Sequence, residues 1–439
     1  MKRVLSVVVV ALFSVFIFCQ ISNHVSAASG SERIKGDNRY ETAIAISKKG
    51  WPNGLTSSEK AVILARGDNP ADALAAASLA GVKDAPILLT NTNSLPPEVL
   101  KEIQRLGTKK IYILGGPNAI THHVVLQLSN RGIDLKRVSG KDRFATAAAI
   151  NNEAGTSNKS EAIVVNGYTV ADALSASSYS AIYEIPIYLS AKDKVPSSLP
   201  GHVKKVTIYG GAGVVSEKVS NYFKGKGIAV KRIAGDNRYT TNIKAAKDLN
   251  SSNENFLLVR GTSTNQVKED YPDAVAASGL ANRLNARIVL SHPTRVINEV
   301  KNYLTTLDGK GYVLGGNNAV SQQVVSQLLN IPSETGTTGK LDITKLDIVA
   351  EKVTIKNMDQ KDISMAGWKL VSVDGNQTFD FPSNFVLKKG ASVTITSGRN
   401  SYESRPNVLQ WSKAYLWDNN GDTARLFDPQ GKKVDELKG

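Results

Sequence analysis

The chain has 439 residues, enough for several domains, and 41% of them are hydrophobic. Its single cysteine, Cys19, lies in an N-terminal apolar segment, so the remainder of the chain excludes disulfides, thiol catalysis and cysteine-ligated zinc. The formal net charge of +15 favours polyanionic partners such as acidic wall polymers, nucleic acid or anionic lipid, although a merely soluble charged surface is the alternative.

The N-terminus has the pattern of a secretory signal. Lys2 and Arg3 are followed by an apolar run over residues 4–18 and by small residues at 26–28. This pattern predicts a signal peptide over residues 1–28, with a retained membrane anchor as the alternative. The apolar run is short for a membrane span, and no later stretch is long enough, so we expect a secreted mature form without a membrane segment.

Three landmarks then recur three times in the same order, at a spacing of about 100 residues. They are an Arg-x-x-Gly-x-x-Arg-aromatic segment (33–40, 137–144, 232–239), a small-residue segment with an aspartate (71–74, 171–174, 272–275), and a strand that ends in a glycine pair (112–116, 207–211, 312–316). Repetition at this length predicts three modules of domain size, over residues 29–131, 132–228 and 229–331. Several copies of one unit favour avidity for a repetitive ligand over a single catalytic cleft.

Within each module, helical and strand patterns alternate. In the first module they are a helix at 40–48, a strand at 60–65, a small-residue helix at 73–80, a strand at 86–90, a helix at 98–106, a strand at 110–114 and a helix at 122–130. Uniformly apolar strands between helices predict an α/β module with a parallel sheet that is covered on both faces. In the third module, the segment from Gly261 to Asp273 is seven residues longer than its counterparts, and we expect this polar insertion to be exposed.

The composition changes after the third module. Residues 332–340 are rich in Gly, Ser and Thr and predict a linker. Residues 341–439 contain short segments of alternating polarity separated by Gly, Asn and Asp, which predicts a C-terminal all-β, immunoglobulin-like sandwich.

The positive charge is concentrated in the repeats. Residues 341–439 contain 14 Lys and Arg against 13 Asp and Glu, a charge of +1. Loss of Lys2 and Arg3 with the signal peptide leaves +13 for the mature chain, so residues 28–340 carry +12. We therefore expect the repeat array, rather than the sandwich, to bind an anionic partner.

The glycine pairs have two interpretations. They are Gly115-Gly116, Gly210-Gly211 and Gly315-Gly316. Each pair lies between a strand and a helix, where free amide groups and the helix dipole can hold a phosphate. No pair has the G-x-G-x-x-G or P-loop pattern, and glycine in a tight turn is the other interpretation.

The repeated aspartates are candidate catalytic carboxylates, or they cap the small-residue helices that they precede. These residues are Asp72, Asp172 and Asp273. The small residues on either side would let each helix pack close to the sheet, which favours the structural role.

The Arg-aromatic pairs are the candidates for polymer binding. These residues are Arg39 with Tyr40, Arg143 with Phe144, and Arg238 with Tyr239. A guanidinium matches phosphate or carboxylate, and an aromatic ring stacks on a sugar or anchors the module. In the alternative, each arginine pairs with its neighbour Asp37, Asp142 or Asp236 and holds the modules together.

No catalytic constellation is recognisable, and we predict no cofactor, no metal and no enzymatic activity. The histidines after the signal segment are His122, His123, His202 and His292, at unrelated positions in the modules. The sequence has neither an H-E-x-x-H motif nor a repeated Ser-His-Asp arrangement.

The three repeats, over residues 33–330, resemble the cell wall binding repeat 2 family of Gram-positive surface proteins. That resemblance implies α/β modules in a pseudo-threefold array that anchors the protein non-covalently to anionic polymers of the wall. Residues 341–439 resemble the lamin-tail domain, through segments 351–357, 363–370 and 379–382 and the Leu387-Lys-Lys-Gly390 turn. This second resemblance implies an accessory interaction module, whose partner it does not identify.

We therefore predict a non-catalytic, secreted wall-anchoring protein. The array binds an anionic wall polymer, and the sandwich is displayed to a possible second partner. One alternative is a wall-associated hydrolase with a site between modules, formed by Asp and Arg residues. The other is an extracellular nucleic-acid-binding protein, which the basic charge favours and the outward signal disfavours.

Overall fold

The structure is a computed structural model that describes residues 31–129, 131–196, 199–249, 254–262, 271–330, 341–429 and 431–439. The predicted signal peptide, the predicted linker and most of the insertion predicted in the third module lie outside these ranges. Residues 31–330 form three α/β units, and residues 341–439 form a β domain.

Each α/β unit is built on a four-stranded parallel sheet, which confirms the predicted fold class. The strands are β1 (Glu32–Ile34), β2 (Ala61–Arg66), β3 (Ile87–Thr90), β4 (Lys110–Leu114), β5 (Asp134–Val138), β6 (Glu161–Asn166), β7 (Ile187–Ser190), β8 (Lys205–Tyr209), β9 (Ala229–Ile233), β10 (Phe256–Arg260), β11 (Arg287–Ser291) and β12 (Gly311–Leu314). Their orders are β3-β2-β4-β5, β7-β6-β8-β9 and β11-β10-β12-β1.

The sheets are displaced by one strand from the sequence repeats. β5, which opens the second repeat, pairs with β4 of the first sheet, and β9 likewise pairs with β8 of the second. β1, which opens the first repeat, joins the third sheet, where Ile34 is in register with Leu314. The N-terminal strand therefore closes the array by completing the sheet of the last unit.

Strands with continuous apolar sequences are buried on both faces, as predicted, whereas the edge strands β5 and β9 are largely exposed. In β2, Ile63 and Ala65 belong to a core that all three units share. Val62 and Leu64 point to the other face and belong to a core confined to the first unit. Successive side chains on a strand alternate between faces, so one apolar strand supplies both cores.

The helices occupy both sides of the sheets. They are α1 (Arg39–Gly50), α2 (Ala76–Val82), α3 (Pro97–Arg105), α4 (His122–Ser129), α5 (Arg143–Glu153), α6 (Val170–Tyr183), α7 (Glu217–Gly225), α8 (Arg238–Asp248), α9 (Pro272–Leu284), α10 (Asn298–Leu304) and α11 (Gln322–Leu328). α3 and α4 cover the outer face of the first sheet, with Val99, Ile103 and Val124 fully buried.

The small-residue helices meet at the centre of the array. α2, α6 and α9, one from each unit, pack against one another in all three pairs. The approach is close: a Cβ on Gly81 would lie 2.0 Å from the carbonyl oxygen of Ala181. Ser178 of α6 also accepts a 2.7 Å hydrogen bond from the amide of Ile288 in the third sheet. This packing gives the predicted pseudo-threefold array a single core.

The C-terminal domain is the predicted all-β sandwich. Its strands are β13 (Leu341–Asp347), β14 (Lys352–Asn357), β15 (Ile363–Ser364), β16 (Lys369–Ser372), β17 (Gln377–Asp380), β18 (Val386–Leu387), β19 (Ser392–Thr396), β20 (Val408–Gln410), β21 (Thr423–Phe427) and β22 (Lys433–Lys438). They form sheets of order β13-β14-β19-β20 and β17-β16-β21-β22, with a short β15-β18 pair. Trp368, Leu370 and Leu426 lie in a core separate from that of the array.

A search of the described ranges found no helix with the length and apolar character needed to cross a membrane.

Candidate functional site

The repeated landmarks converge at the carboxyl ends of the strands. Gly115, Gly210 and Gly315 end β4, β8 and β12 with φ of +90°, +108° and +92°, a conformation that favours glycine. A Cβ at these positions would lie 2.5, 2.8 and 2.4 Å from Oδ2 of Asp72, Asp172 and Asp273 respectively. The first glycine of each pair is therefore required both by the turn and by the adjacent aspartate.

Neither backbone conformation nor a neighbouring atom requires glycine at the second position of each pair. Gly116, Gly211 and Gly316 are outside the left-handed region of φ, and a Cβ on any of them would meet no atom within 4 Å. Glycine at a position with this much open space leaves the backbone accessible to an approaching molecule. The same arrangement occurs in all three units.

The prediction that the aspartates cap the small-residue helices is wrong in detail. Asp72 ends a 3₁₀ turn (Pro70–Asp72) whose cap is Asn69, and α2 begins only at Ala76. Asp172 and Asp273 lie within the first turns of α6 and α9, where the positive end of the helix dipole favours a carboxylate. Each of the three side chains reaches the glycine turn of its own unit.

A second set of arginines, which the sequence analysis did not single out, holds the same turns. Arg33, Arg137 and Arg232 donate hydrogen bonds to the carbonyl oxygens of Gly315, Gly115 and Gly210, at 2.9, 2.7 and 2.9 Å. Burial lowers the pKa of Arg137, and it lowers that of Arg33 to about 10. These residues open the repeated segment, and their regular recurrence was the signal that could have identified them.

The candidate arginines begin helices α1, α5 and α8 and bind a glycine carbonyl of their own unit. Arg39, Arg143 and Arg238 donate to the carbonyl oxygens of Gly67, Gly167 and Gly261, at 2.6, 2.9 and 3.0 Å. The alternative that they pair with the neighbouring aspartates is wrong. Asp142 instead accepts a hydrogen bond from the amide of Ala145 and caps α5, and within the described residues no ion pair joins Arg39 to Asp37 or Arg238 to Asp236.

The candidate aromatic residues pack on the same three glycines. A Cβ on Gly67, Gly167 or Gly261 would lie 2.8, 3.0 or 3.2 Å from the ring of Tyr40, Phe144 or Tyr239 respectively. Tyr40 donates a hydrogen bond to Asn91, and burial raises the pKa of Tyr239 to about 12. The aromatic residues therefore anchor their own units, and a role for them or for the arginines in ligand binding stays a prediction.

A cavity of about 370 Å³ lies at the junction of the first and second repeats. Its lining residues are Arg66, Asp72, Gly116, Pro117, Asn118, Ala119, Gly140, Lys141, Asp142 and Arg143. Both repeats contribute to it, and it lies at the carboxyl ends of parallel strands, where α/β sheets commonly bind ligands.

Three cationic and two anionic side chains face this cavity. Arg66 is neutralised by Asp68, to which its Nη2 donates at 2.8 Å, and that hydrogen bond raises the pKa of the guanidinium. Lys141 makes no hydrogen bond or ion pair within the described residues, and Arg143 uses only Nη1 in its hydrogen bond to Gly167. Lys141 and Arg143 thus retain donors that an anion can use.

His122, His123, His202 and His292 belong to no metal-binding group of the described residues. The Nδ1 atom of His292 accepts hydrogen bonds from the amides of Thr294 and Arg295, which is the geometry of a turn. Burial lowers its pKa, and the charge of Arg295 adds to the effect. Among the described residues, no group of three or more His, Cys, Asp or Glu is placed to hold a metal ion.

Two protein families match the chain. Cell wall binding domain 2 (CWB2) matches residues 33–125, 137–220 and 232–325, and the lamin tail domain matches residues 334–438. The three CWB2 matches coincide with the three repeats, and the lamin tail match contains the β-sandwich.

Two of the curated relatives come from Bacillus subtilis (strain 168). N-acetylmuramoyl-L-alanine amidase LytC is 30% identical over 310 residues, 69% of this chain and 59% of the relative. The amidase enhancer is 30% identical over 354 residues, 79% of this chain and 47% of the relative. The matched region thus spans about half the length of these relatives.

Two solved structures from Clostridium difficile share the fold. Cwp8 superposes with a TM-score of 0.61 at 29% identity, over 69% of this chain and 52% of Cwp8. Cwp6 superposes with a TM-score of 0.57 at 27% identity, over 68% of this chain and 48% of Cwp6.

Because the CWB2 matches cover more than half of its residues, the chain belongs to the cell wall binding domain 2 family, with a lamin tail domain after its three repeats.

Proposed function

We propose that the protein is a non-catalytic, secreted anchor whose repeat array binds an anionic polymer of the cell wall. The array supplies a basic surface and repeated junctions, and the β-sandwich is displayed as an interaction module. Membership of the CWB2 family and similarity to Cwp8, Cwp6 and the two Bacillus proteins support attachment to the wall.

The observation that carries the proposal is the open second glycine of each pair. Gly116 faces the junction cavity together with Lys141 and Arg143, and a side chain at this glycine would occupy otherwise empty space. An exposed backbone beside available cationic donors is suited to a phosphate or carboxylate group. Three equivalent turns on one rigid array allow a repetitive polymer to bind at more than one point.

The proposal is tested with purified walls, before and after acid extraction of their anionic polymers. Residues 28–340 should bind untreated walls, and residues 341–439 should not, because the charges of these segments are +12 and +1. Binding should weaken as added salt screens the surface charge. Equal binding by the sandwich, or binding that survives extraction, would contradict the polymer assignment.

The absence of catalytic activity that we propose is tested by measuring the release of soluble fragments from walls. The mature protein should release no soluble fragments from walls on prolonged incubation. Release of fragments would instead favour the hydrolase, with the cavity that contains Asp72 and Arg143 as the first place to look for its site.

Export is checked by N-terminal sequencing of protein recovered from the culture medium or the wall. Cleavage after the small residues at 26–28 should give a mature chain that starts near Ala28 or Ser29. Recovery of a chain that starts at Met1 would show that the segment is retained.

A further inference from the structure

Three side chains at or beside the junction between the first and second repeats differ from their counterparts in both other repeats. Lys141 stands where the other repeats have Asp37 and Asp236, and Asp142 stands where they have Asn38 and Asn237, so this pair of positions is neutral overall whereas its counterparts carry one negative charge. The Asp142 carboxylate caps α5 through the amide of Ala145, and Lys141 is the cation added beside the cavity. Tyr168 follows Gly167, whereas Asp68 and Thr262 follow the equivalent glycines. Lys141 lines the cavity and Tyr168 contacts its lining residue Arg143, so this junction has beside it a cation and an aromatic ring that the repeat pattern does not require.

Tyr168 is exposed but held in place. Its exposed fraction is 63%, and the guanidinium carbon of Arg143 lies 4.8 Å from its ring centroid. The Phe144 ring packs against it in an edge-to-face arrangement with a centroid distance of 5.8 Å. A large aromatic ring in such a position is well suited to stack on an apolar face of a ligand.

The loop that carries Tyr168 is hydrogen-bonded to its own unit. The amide of Tyr168 donates to Oδ1 of Asn166 at 2.8 Å, and Nδ2 of Asn166 donates to the carbonyl oxygen of Val214 at 2.6 Å. The ring position is thus set before a ligand arrives, which lowers the entropic cost of binding.

Arg143 is also better able than Arg238 to take an external anion. Within the described residues, its only hydrogen bond joins Nη1 to the carbonyl oxygen of Gly167. Arg238, by comparison, donates both to Gly261 and to the hydroxyl of Tyr271 at 2.8 Å. Arg143 keeps Nε and Nη2 for a second partner, and its guanidinium plane is supported by the Tyr168 ring.

We propose that the junction of the first and second repeats is the principal polymer site, and that it recognises a glycosyl phosphate. The phosphate lies against Lys141, Arg143 and the open backbone at Gly116, and the adjoining sugar ring lies against Tyr168. This inference rests on the proposed wall-binding function and names the chemical class of the ligand. A cavity of about 370 Å³ is large enough for one sugar phosphate.

The test uses the full-length mature protein and two purified probes, a poly(N-acetylhexosamine 1-phosphate) and a poly(glycerol phosphate) without sugars. The variants are Tyr168→Ala, Tyr168→Phe and Lys141→Asp, the last restoring the residue type of the other repeats. The matched control is Tyr222→Ala, since Tyr222 is a 49% exposed tyrosine of the second repeat on the outer helix α7. Affinities are measured by titration calorimetry, and folding is checked by thermal unfolding.

Tyr168→Ala should weaken binding of the sugar-containing polymer about tenfold and leave binding of poly(glycerol phosphate) within about twofold. Tyr168→Phe should retain binding because the ring remains, and Tyr222→Ala should match the unmodified protein. Lys141→Asp should weaken the binding of both probes, since both contain phosphate. A Tyr168→Ala protein that binds both probes normally, or loses both equally, would overturn the sugar-stacking assignment.

The experiment separates this inference from the function on which it rests. If the unmodified protein binds neither probe nor purified walls, the proposed function itself fails. If it binds walls and Lys141→Asp has no effect on any probe, the function stands and the polymer site lies elsewhere.

Discussion

Arg33 donates a hydrogen bond from Nη1 to the carbonyl oxygen of Gly315, a residue 282 positions later in the chain. This bond lies beside the pairing of β1 with β12, which joins the beginning of the array to its end. The relationship makes the stability of the third unit dependent on residues that the sequence assigns to the first.

Replacement of Arg33 should therefore destabilise residues of the third sheet, which are far from it in the sequence. Arg33→Ala should cost about 1–3 kcal/mol of unfolding free energy, because a buried carbonyl loses its donor. Hydrogen exchange should show lost protection in residues 311–314, with little change in residues 61–66. The matched variant Arg137→Ala should instead expose residues 110–114, because its partner is Gly115. Loss of protection in the first sheet on Arg33→Ala would contradict the closure of the array.

The two glycines of a pair should respond differently to substitution. Gly115→Ala should cost about 1–3 kcal/mol, because it places a non-glycine residue at φ +90° and forces a contact with Asp72. Gly116→Ala should change stability by less than about 0.5 kcal/mol, since its Cβ has open space. Thermal unfolding separates these two cases.

The Gly116→Ala variant also tests whether the polymer binds against the open backbone at this glycine. Gly116→Ala should weaken binding to walls, because its methyl group projects into the space that we assign to the polymer. Unchanged wall binding by a stable Gly116→Ala protein would remove the open backbone from the site.

Two of the candidate arginines, Arg143 and Arg238, should differ in their contribution to stability. Arg238→Ala removes donors to both Gly261 and Tyr271 and should lower the unfolding free energy by about 1–3 kcal/mol. Arg143→Ala removes one hydrogen bond to Gly167 and should cost about 1 kcal/mol. Wall binding, measured well below both melting temperatures, should fall more for Arg143→Ala than for Arg238→Ala. The reverse order would assign Arg143 to architecture alone.

Acid should weaken the first unit through Glu59. Partial burial alone would raise the pKa of this carboxyl, but hydrogen bonds from Tyr112, Lys83 and Lys110 outweigh it and lower the pKa from 4.5 to about 2. A depressed pKa means that the carboxylate stabilises the fold above pH 4.5 and that this contribution is lost as the pH falls toward 2.

The measurement compares melting temperatures of the unmodified protein and of Glu59→Gln between pH 7 and pH 2. The unmodified protein should be more stable at neutral pH, and the two curves should converge on acidification. Because Glu59 is partly exposed, we expect a small difference, within about 1 kcal/mol. A constant difference across the range would assign the effect to packing rather than to the charge.

The sequence by itself determined the number of units, their class and the nature of the last domain. Continuous apolar strands such as residues 61–65 need cover on two faces, which specifies a parallel sheet between helices. The period-two pattern after residue 341 specifies short strands with one buried face. These features depend on local periodicity, which can be read without knowing which segments meet.

Tertiary structure alone decided how the landmarks combine. The aspartate at 72 and the glycine at 115 have separate local explanations, and only the folded sheet shows that each limits the other. The partner of Arg143 is a glycine carbonyl 24 residues away, which charge pairing with its neighbour Asp142 could not reveal. The sequence also did not show that β1 belongs to the third sheet. Repeat boundaries follow sequence similarity, whereas strand pairing depends on which sheet edge is available when the three units pack together.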